Sequence, residues 1–396
     1  MAMAPSRTPF RARGAASVQA AVERLAGETL DGNSLLRRLA GIFRAAIPAD
    51  GLLLLRTDPT TVLPTDGVVE ALPPGLCRPF WDNELLEPDV NKFVTLARGP
   101  LAATLHRATG GQLARSRRYR TLYQPLGVSD ELRVAFAARD GSCWGLAQLL
   151  RTGGAVFTDR ERDLLAGVVP AVVSALRARF AAAGPATAPA AAAATGTGRD
   201  SSSGGDPGGG PGPALVVLDQ AGEVQAITPG ARQWLAALAH GSATGMTPVP
   251  EPVYAVANRA RAARAGLDHR PACAQVRTAR AGWLHLHASC LDTPGEPGGS
   301  TGAVAVVITP AQGPDLVPVL ALGYRLTHRE QEVLRFLARG MSTAEITQHL
   351  GISAHTVRDH IKALFGKVGV RSRTELVARI FAEHYFDRLE ADVDRW

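Results

Sequence analysis

The stretch SAHTVRDHIKALF, Ser353 to Phe365, sets Val357, Ile361 and Leu364 at helical spacing, so a helix that buries them turns His355, Arg358 and Lys362 outward. Nitrogen donors and positive charge displayed on one helix suit an anionic ligand with acceptors set in a helix-wide trough, as in the major groove of double-stranded DNA. Arg358 is the foremost candidate, because a guanidinium can reach guanine O6 and N7 together. Asp359 beside it would repel phosphate, so it is expected at the edge of such a surface or paired with a neighbouring arginine.

Other constellations argue against other chemistries. No Gly-x-x-x-x-Gly-Lys-Ser/Thr loop occurs, and Gly366-Lys367 is followed by Val368, so no nucleotide-driven enzyme and no catalytic residue is expected. A phospho-receiver is disfavoured as well, because the N-terminal part has no strand-end acidic pair with a phosphoacceptor Asp, and its only lysine is Lys92. His285 and His287 alternate in WLHLHASC and share one face of a strand, but no third ligand accompanies them. They are read as polar residues on a sheet rather than as a metal site. No cofactor is expected either, since no flavin-linking cysteine motif is present. Cys77, Cys143, Cys273 and Cys290 are scattered without Cys-x-x-Cys spacing and read as reduced thiols. Arg115, Arg117, Arg118 and Arg120 are read as a solvated helix face rather than an anion site.

The helix bearing Arg358 needs a scaffold, and the flanking sequence supplies one. Thr327 with Glu330, Ser342 with Glu345, and Ser372 with Glu375 are capping boxes that start three helices, and Ser353 caps the remaining one. Apolar stripes mark the same four segments: Val333, Leu334 and Leu337; Ile346 and Leu350; Val357, Ile361, Leu364 and Phe365; Leu376, Val377 and Ile380. Only Gly351-Ile352-Ser353 separates the second from the third, which is helix-turn-helix spacing. Gly351 supplies the left-handed stop. Residues 324–380 hold ten Lys+Arg against five Asp+Glu, whereas residues 381–396 hold two against five, so basic surface and acidic tail are separate.

These segments resemble the LuxR/FixJ helix-turn-helix family through LTHRE from Leu326, GMSTAEI from Gly340, SAHTVRDH from Ser353 and KVGVRSR from Lys367. Arg358 stands where that family usually has Lys, Thr343 where Asn is common and Thr347 where Ala is common. The resemblance implies that Thr356, Val357, Arg358, Lys362 and Lys367 approach bases or phosphates, with Lys367 on phosphate. It also implies that the fourth helix, through Leu376 and Ile380, contributes to a homodimer. Val357 and Thr356 have a second reading, in which they start and pack the third helix.

The chain as a whole, 396 residues and 46% hydrophobic, has room for several domains, and its net charge of +7 comes almost entirely from arginine. Residues 1–182 read as an α+β sensor: helical periodicity at Val18–Leu25 and Leu35–Ile47, a strand at Leu52–Leu55, a hairpin at Leu132–Leu150 and a long helix capped by Thr158 and Glu161. FWDNELLEPDVNKF, LHRATGG and GSCWG resemble GAF-like domains of actinobacterial LuxR-type regulators. Residues 183–213, nearly free of large apolar side chains, read as a disordered linker. Residues 214–310 open on ALVVLDQAGEVQAITPGARQWL, resemble the entry into a PAS domain and are expected to form a five-stranded antiparallel sheet. Pro310, Gly313, Pro314, Pro318 and Gly323 mark a linker at 311–323, followed by an all-α DNA-binding domain at 324–386 and a tail at 387–396.

The fold class is thus multidomain, α+β, α+β and all-α. The reading is a cytoplasmic one-component transcription regulator, with neither membrane span nor signal peptide. Its partners are double-stranded DNA, a second copy, RNA polymerase and an unnamed small-molecule or protein effector. The alternative is a protein-interaction regulator that binds DNA weakly or only with a partner.

Overall fold

The structure, a computed structural model, describes residues 14–28, 30–73, 75–182, 214–239, 249–278, 282–292, 300–311 and 313–377. In the first block, helices α1 (Ala15–Gly27) and α2 (Gly32–Ala46) precede strands β1 (Gly51–Thr57) and β2 (Pro64–Glu70). Next come α3 (Cys77–Leu86), α4 (Phe93–Arg98), β3 (Ala102–Thr104) and α5 (Leu105–Ala108). A hairpin of β4 (Val128–Ala137) and β5 (Cys143–Thr152) leads into α6 (Asp159–Ala182). Its turn falls at Arg139-Asp140-Gly141, where the Asp140 carboxylate accepts from Ser142 N–H at 3.0 Å. The Thr158 capping box forms, with Glu161 Oε2 accepting from Thr158 N–H at 2.8 Å.

The strands pair antiparallel in the order β2-β1-β5-β4-β3, and both faces of the sheet are covered. Leu52 and Leu54 of β1 join the core beneath α1, α2 and α6, while Leu53 and Leu55 join the core beneath α3 and α4. This two-sided burial is why β1 reads as an unbroken apolar run. The α3 side also buries charge. Arg118 and Arg133 are both 0% exposed; Arg118 Nη2 donates to Glu131 Oε2 at 2.7 Å, and Arg133 Nη1 to Glu84 Oε2 at 2.8 Å. The solvated-face reading of the Arg115–Arg120 cluster is therefore corrected at Arg118. Its guanidinium is a core element, held by Asn83 and Glu131 while Asp89 receives its backbone N–H.

The second block contains β6 (Ala214–Leu218), β7 (Val224–Ile227), α7 (Ala231–Ala239), α8 (Glu251–Arg264), β8 (Cys273–Thr278), β9 (Gly282–Asp292) and β10 (Ser300–Pro310). Its sheet order, β7-β6-β10-β9-β8, repeats the strand order of the first block, again with antiparallel pairing. The turn between β6 and β7 closes at Gly222, where φ is +76° and a Cβ would come 2.5 Å from the Tyr254 hydroxyl, so glycine is required on two counts.

The two blocks are docked on each other. One apolar cluster runs from Trp81 and Leu85 of α3 through Val253 and Val256 of α8 to Leu284 and Val306. Polar contacts cross the seam: Trp81 Nε1 donates to Glu251 Oε1 at 2.7 Å, Asn258 Nδ2 to Asp82 Oδ1 at 2.8 Å, and Gln275 N–H to Asp58 Oδ2 at 2.8 Å.

The last unit corrects a second expectation. Residues 313–323, expected to be linker, form helix α9 (Gly313–Gly323), whose Leu316, Leu320 and Ala321 enter the core of the C-terminal unit. Pro314 sits in its first turn, where no intrahelical N–H is needed, and Pro318 lies inside the helix, so the proline signal does not mark a break. After it come α10 (His328–Ala338), α11 (Thr343–Leu350), α12 (Ala354–Val368) and α13 (Arg373–Val377). Phe180 at the end of α6 joins all three units: its ring lies 5.6 Å from Trp144 and 5.4 Å from Trp283, and a Cβ on Gly323 would come 2.3 Å from it. The linker expected at 183–213 and the tail at 387–396 lie outside the described residues.

Candidate nucleic-acid interface

The C-terminal helices begin where the sequence places their caps. Thr327 and Ser342 each form a complete capping box, with Glu330 Oε2 accepting from Thr327 N–H at 2.7 Å and Glu345 Oε2 from Ser342 N–H at 2.6 Å. Ser353 Oγ accepts from Thr356 N–H at 3.1 Å and starts α12. At α13 the box is half made: Ser372 Oγ receives Glu375 N–H at 3.0 Å, but the Glu375 carboxylate receives Arg371 N–H instead. Gly351 adopts φ +63° between α11 and α12, which sets the two helices across each other.

Val333, Leu334 and Leu337 of α10, Ile346 of α11, and Val357, Leu364 and Val368 of α12 close one core. Its closure fixes the outward face of α12. His355 is exposed, its side chain 83% accessible, and Arg358 and Lys362 are exposed with it. Among the described residues neither Arg358 nor Lys362 has a carboxylate at ion-pairing distance, so their donors are available. Asp359 does pair, but with His355 at 3.6 Å rather than with an arginine.

Four sequence-derived positions lie elsewhere. Val357 is 0% exposed and packs inside the domain, so its side chain serves the core and not a groove. Thr356 is half-buried, its hydroxyl 2.9 Å from Ser353 Oγ at the start of α12. Lys367 is drawn into the fold: its Nζ donates to Glu330 Oε2 at 2.6 Å and to the Arg325 carbonyl at 3.0 Å, tying the end of α12 to the cap of α10. Burial would raise the Glu330 carboxyl, but the bond from Lys367 and the bonds at Thr327 hold it below the usual range. Leu376 is 0% exposed and belongs to the domain core, which corrects its assignment to a dimer surface; Ile380 lies outside the described residues. Arg373, absent from the sequence-derived set, donates to the Leu337 carbonyl at 3.2 Å and helps end α10. The sequence signalled it only as the last residue of KVGVRSR in the family resemblance.

His285 and His287 do share one sheet face, with ring centroids 6.4 Å apart. His285 Nδ1 meets Gln275 Nε2 at 2.6 Å, and among the described residues no group of three or more His, Cys, Asp or Glu is placed to hold a metal. No described helix is long and apolar enough to cross a membrane. The four cysteines form no disulfide with one another, and burial pushes the Cys143 thiol up to about 12.

Residues 324–380 match the family model for bacterial regulatory proteins of the luxR family. The C-terminal unit is thus a luxR-family helix-turn-helix domain. The chain is 41% identical over 85 residues to the transcriptional regulatory protein UhpA of Salmonella typhimurium, which covers 20% of this chain and 43% of that protein. It is 41% identical over 61 residues to the transcriptional regulatory protein DesR of Bacillus subtilis (15% and 31%). With the probable HTH-type transcriptional regulator GfsR of Streptomyces halstedii it shares 33% over 90 residues (21% and 35%). In each case less than half the relative's length is spanned. Among solved structures, the VqsR ligand-binding domain from Pseudomonas aeruginosa gives a TM-score of 0.26 at 18% identity, over 42% of this chain and 93% of that one. A likeness of that size defines no common fold.

Proposed function

We propose that this chain is a DNA-binding transcription regulator in which two N-terminal α+β blocks, one GAF-like and one PAS-like, control a helix-turn-helix that reads double-stranded DNA. One observation carries the reading: within the stretch that matches the luxR model, α12 follows a three-residue turn and presents His355, Arg358 and Lys362 to solvent with no competing carboxylate on the two longer bases. Arg358 is the base reader and Lys362 supports it, while Thr356 serves with Ser353 to start α12. Lys367, exposed but bonded to Glu330 and the Arg325 carbonyl, ties α12 to α10. The repeated strand order of the two blocks and their shared core support a single composite sensor. A signal there alters DNA affinity by shifting populations of docked arrangements, and a homodimer reads a two-part site.

The test is retention of the intact protein on its own upstream DNA across a salt series. Steeply salt-dependent, site-selective retention supports the reading. Absence of retention at low salt on both that DNA and random fragments refutes it, and favours the protein-interaction alternative.

A further inference from the structure

Where the two α+β blocks meet they line a solvent-open cleft of about 220 Å³, with Trp81, Leu85 and Phe93 from the first block and Arg259, Leu267 and Arg270 from the second among its walls. The charges around it do not cancel. Glu84 is committed to Arg133, and Glu87 pairs with Arg117 at 2.9 Å. Asp268 is divided between two arginines, Arg270 at 2.6 Å and Arg259 at 3.3 Å. Lys92, which also lines the cavity, has no carboxylate at ion-pairing distance among the described residues. One guanidinium and one ammonium are therefore in excess.

Arg259 carries the strongest signal. Its side chain is 1% exposed, its Nη1 reaches only the Thr61 carbonyl at 3.3 Å, and its buried Nε has no hydrogen-bonded partner, because Asp268 is near but out of line. A desolvated cation with unmet donors is destabilising unless a further acceptor arrives. Burial, and then the charge of Arg270, push Arg259 down to about 10, while burial lowers Lys92.

We propose that this cavity binds a small organic carboxylic acid as its anion, with the apolar body against Trp81, Leu85, Phe93 and Leu267 and the carboxylate against Arg259 and Lys92. A carboxylate gives a guanidinium fork two acceptors at once, and the aliphatic and aromatic walls suit a hydrocarbon remainder rather than a sugar or a polyphosphate. Because the walls come from both blocks, occupancy bridges them and stabilises their docking. The proposal rests on the regulator reading only for its consequence at DNA.

The test is calorimetric titration of the full chain with hexanoate, benzoate and 1-naphthoate, each against its primary amide, in the wild type and in Lys92→Gln and Lys92→Arg. Lys92 is half-buried and unpaired, so both variants should fold, and their melting temperatures check this. At least one acid is expected to bind one-to-one, about tenfold more tightly than its amide, with about tenfold loss in Lys92→Gln and retention in Lys92→Arg. Acid and amide binding alike, no acid binding, or a Lys92→Gln protein equal to wild type overturns the proposal. Acid binding by a protein that retains no DNA supports the site and sinks the regulator reading; DNA retention without acid binding does the reverse.

Discussion

Trp81 of the first block donates its indole N–H to Glu251 of the second across 2.7 Å, and the two residues are only 1% and 2% exposed. The other carboxyl oxygen of Glu251 is buried without a hydrogen-bond partner. Burial, opposed by the Trp81 bond, pushes this carboxyl from 4.5 up to about 7. The folded protein therefore holds the proton more tightly than the unfolded chain. That contribution is complete below pH 4.5 and is lost as pH rises through about 7. Unfolding free energy should fall over this window by on the order of 3 kcal/mol at most, with melting temperature falling alongside, and Glu251→Gln should flatten the profile. Identical pH slopes in the two proteins would remove Glu251 as the cause.

The buried pairs Arg133–Glu84 and Arg118–Glu131 make a second prediction. Arg133→Met leaves Glu84 without a counter-charge in the core and Glu131 with Arg118 alone, and urea denaturation should report a loss of about 3 to 5 kcal/mol. A loss under about 1 kcal/mol would mean that water reaches these carboxylates.

What the sequence disclosed follows from how many ways each segment is buried. In α10, α11 and α12 one face packs and the other is wet, so caps and apolar stripes both show, and Gly351 marks the turn. Helix α8 gave no such pattern: Val253, Tyr254, Ala255, Val256 and Ala257 are all buried, because the helix is sandwiched between its own sheet and α3. The docking of the two blocks was hidden with it. A buried arginine and a solvated one look the same in sequence, and the groups that hold Arg118, Asn83, Asp89 and Glu131, lie outside its own segment. The prolines of α9 read as breakers in sequence, yet Pro314 lies in a first turn and Pro318 inside the helix. Of the exposed positions on α12, periodicity alone found His355, Arg358 and Lys362. Lys367 and Leu376, assigned through family resemblance, belong to the domain's own packing.

Phe180 tests the coupling between units. Phe180→Ala removes the ring that Trp144, Trp283 and Gly323 share, at an expected loss of about 1 to 3 kcal/mol for a half-buried aromatic. Calorimetry should then resolve the C-terminal domain's melting from that of the two α+β blocks. An unchanged single transition in the variant would place the coupling elsewhere.

Lys367→Met separates a structural from a phosphate-binding lysine. With Nζ held by Glu330 and the Arg325 carbonyl, the variant should lose about 1 kcal/mol of domain stability, since the side chain is 34% exposed, and keep the wild-type salt slope of DNA binding. A slope reduced by about one unit would put Lys367 on phosphate after all.

The most direct measurement is the affinity of full-length protein and Arg358→Ala for its upstream DNA and for a scrambled sequence, at several salt concentrations. Arg358→Ala should fold normally, because Arg358 is exposed and unpaired among the described residues. It should lose about 1 to 3 kcal/mol on the specific site and little on the scrambled one. Equal affinity of the two proteins for the specific site would contradict the assignment of Arg358 as the residue that reads DNA.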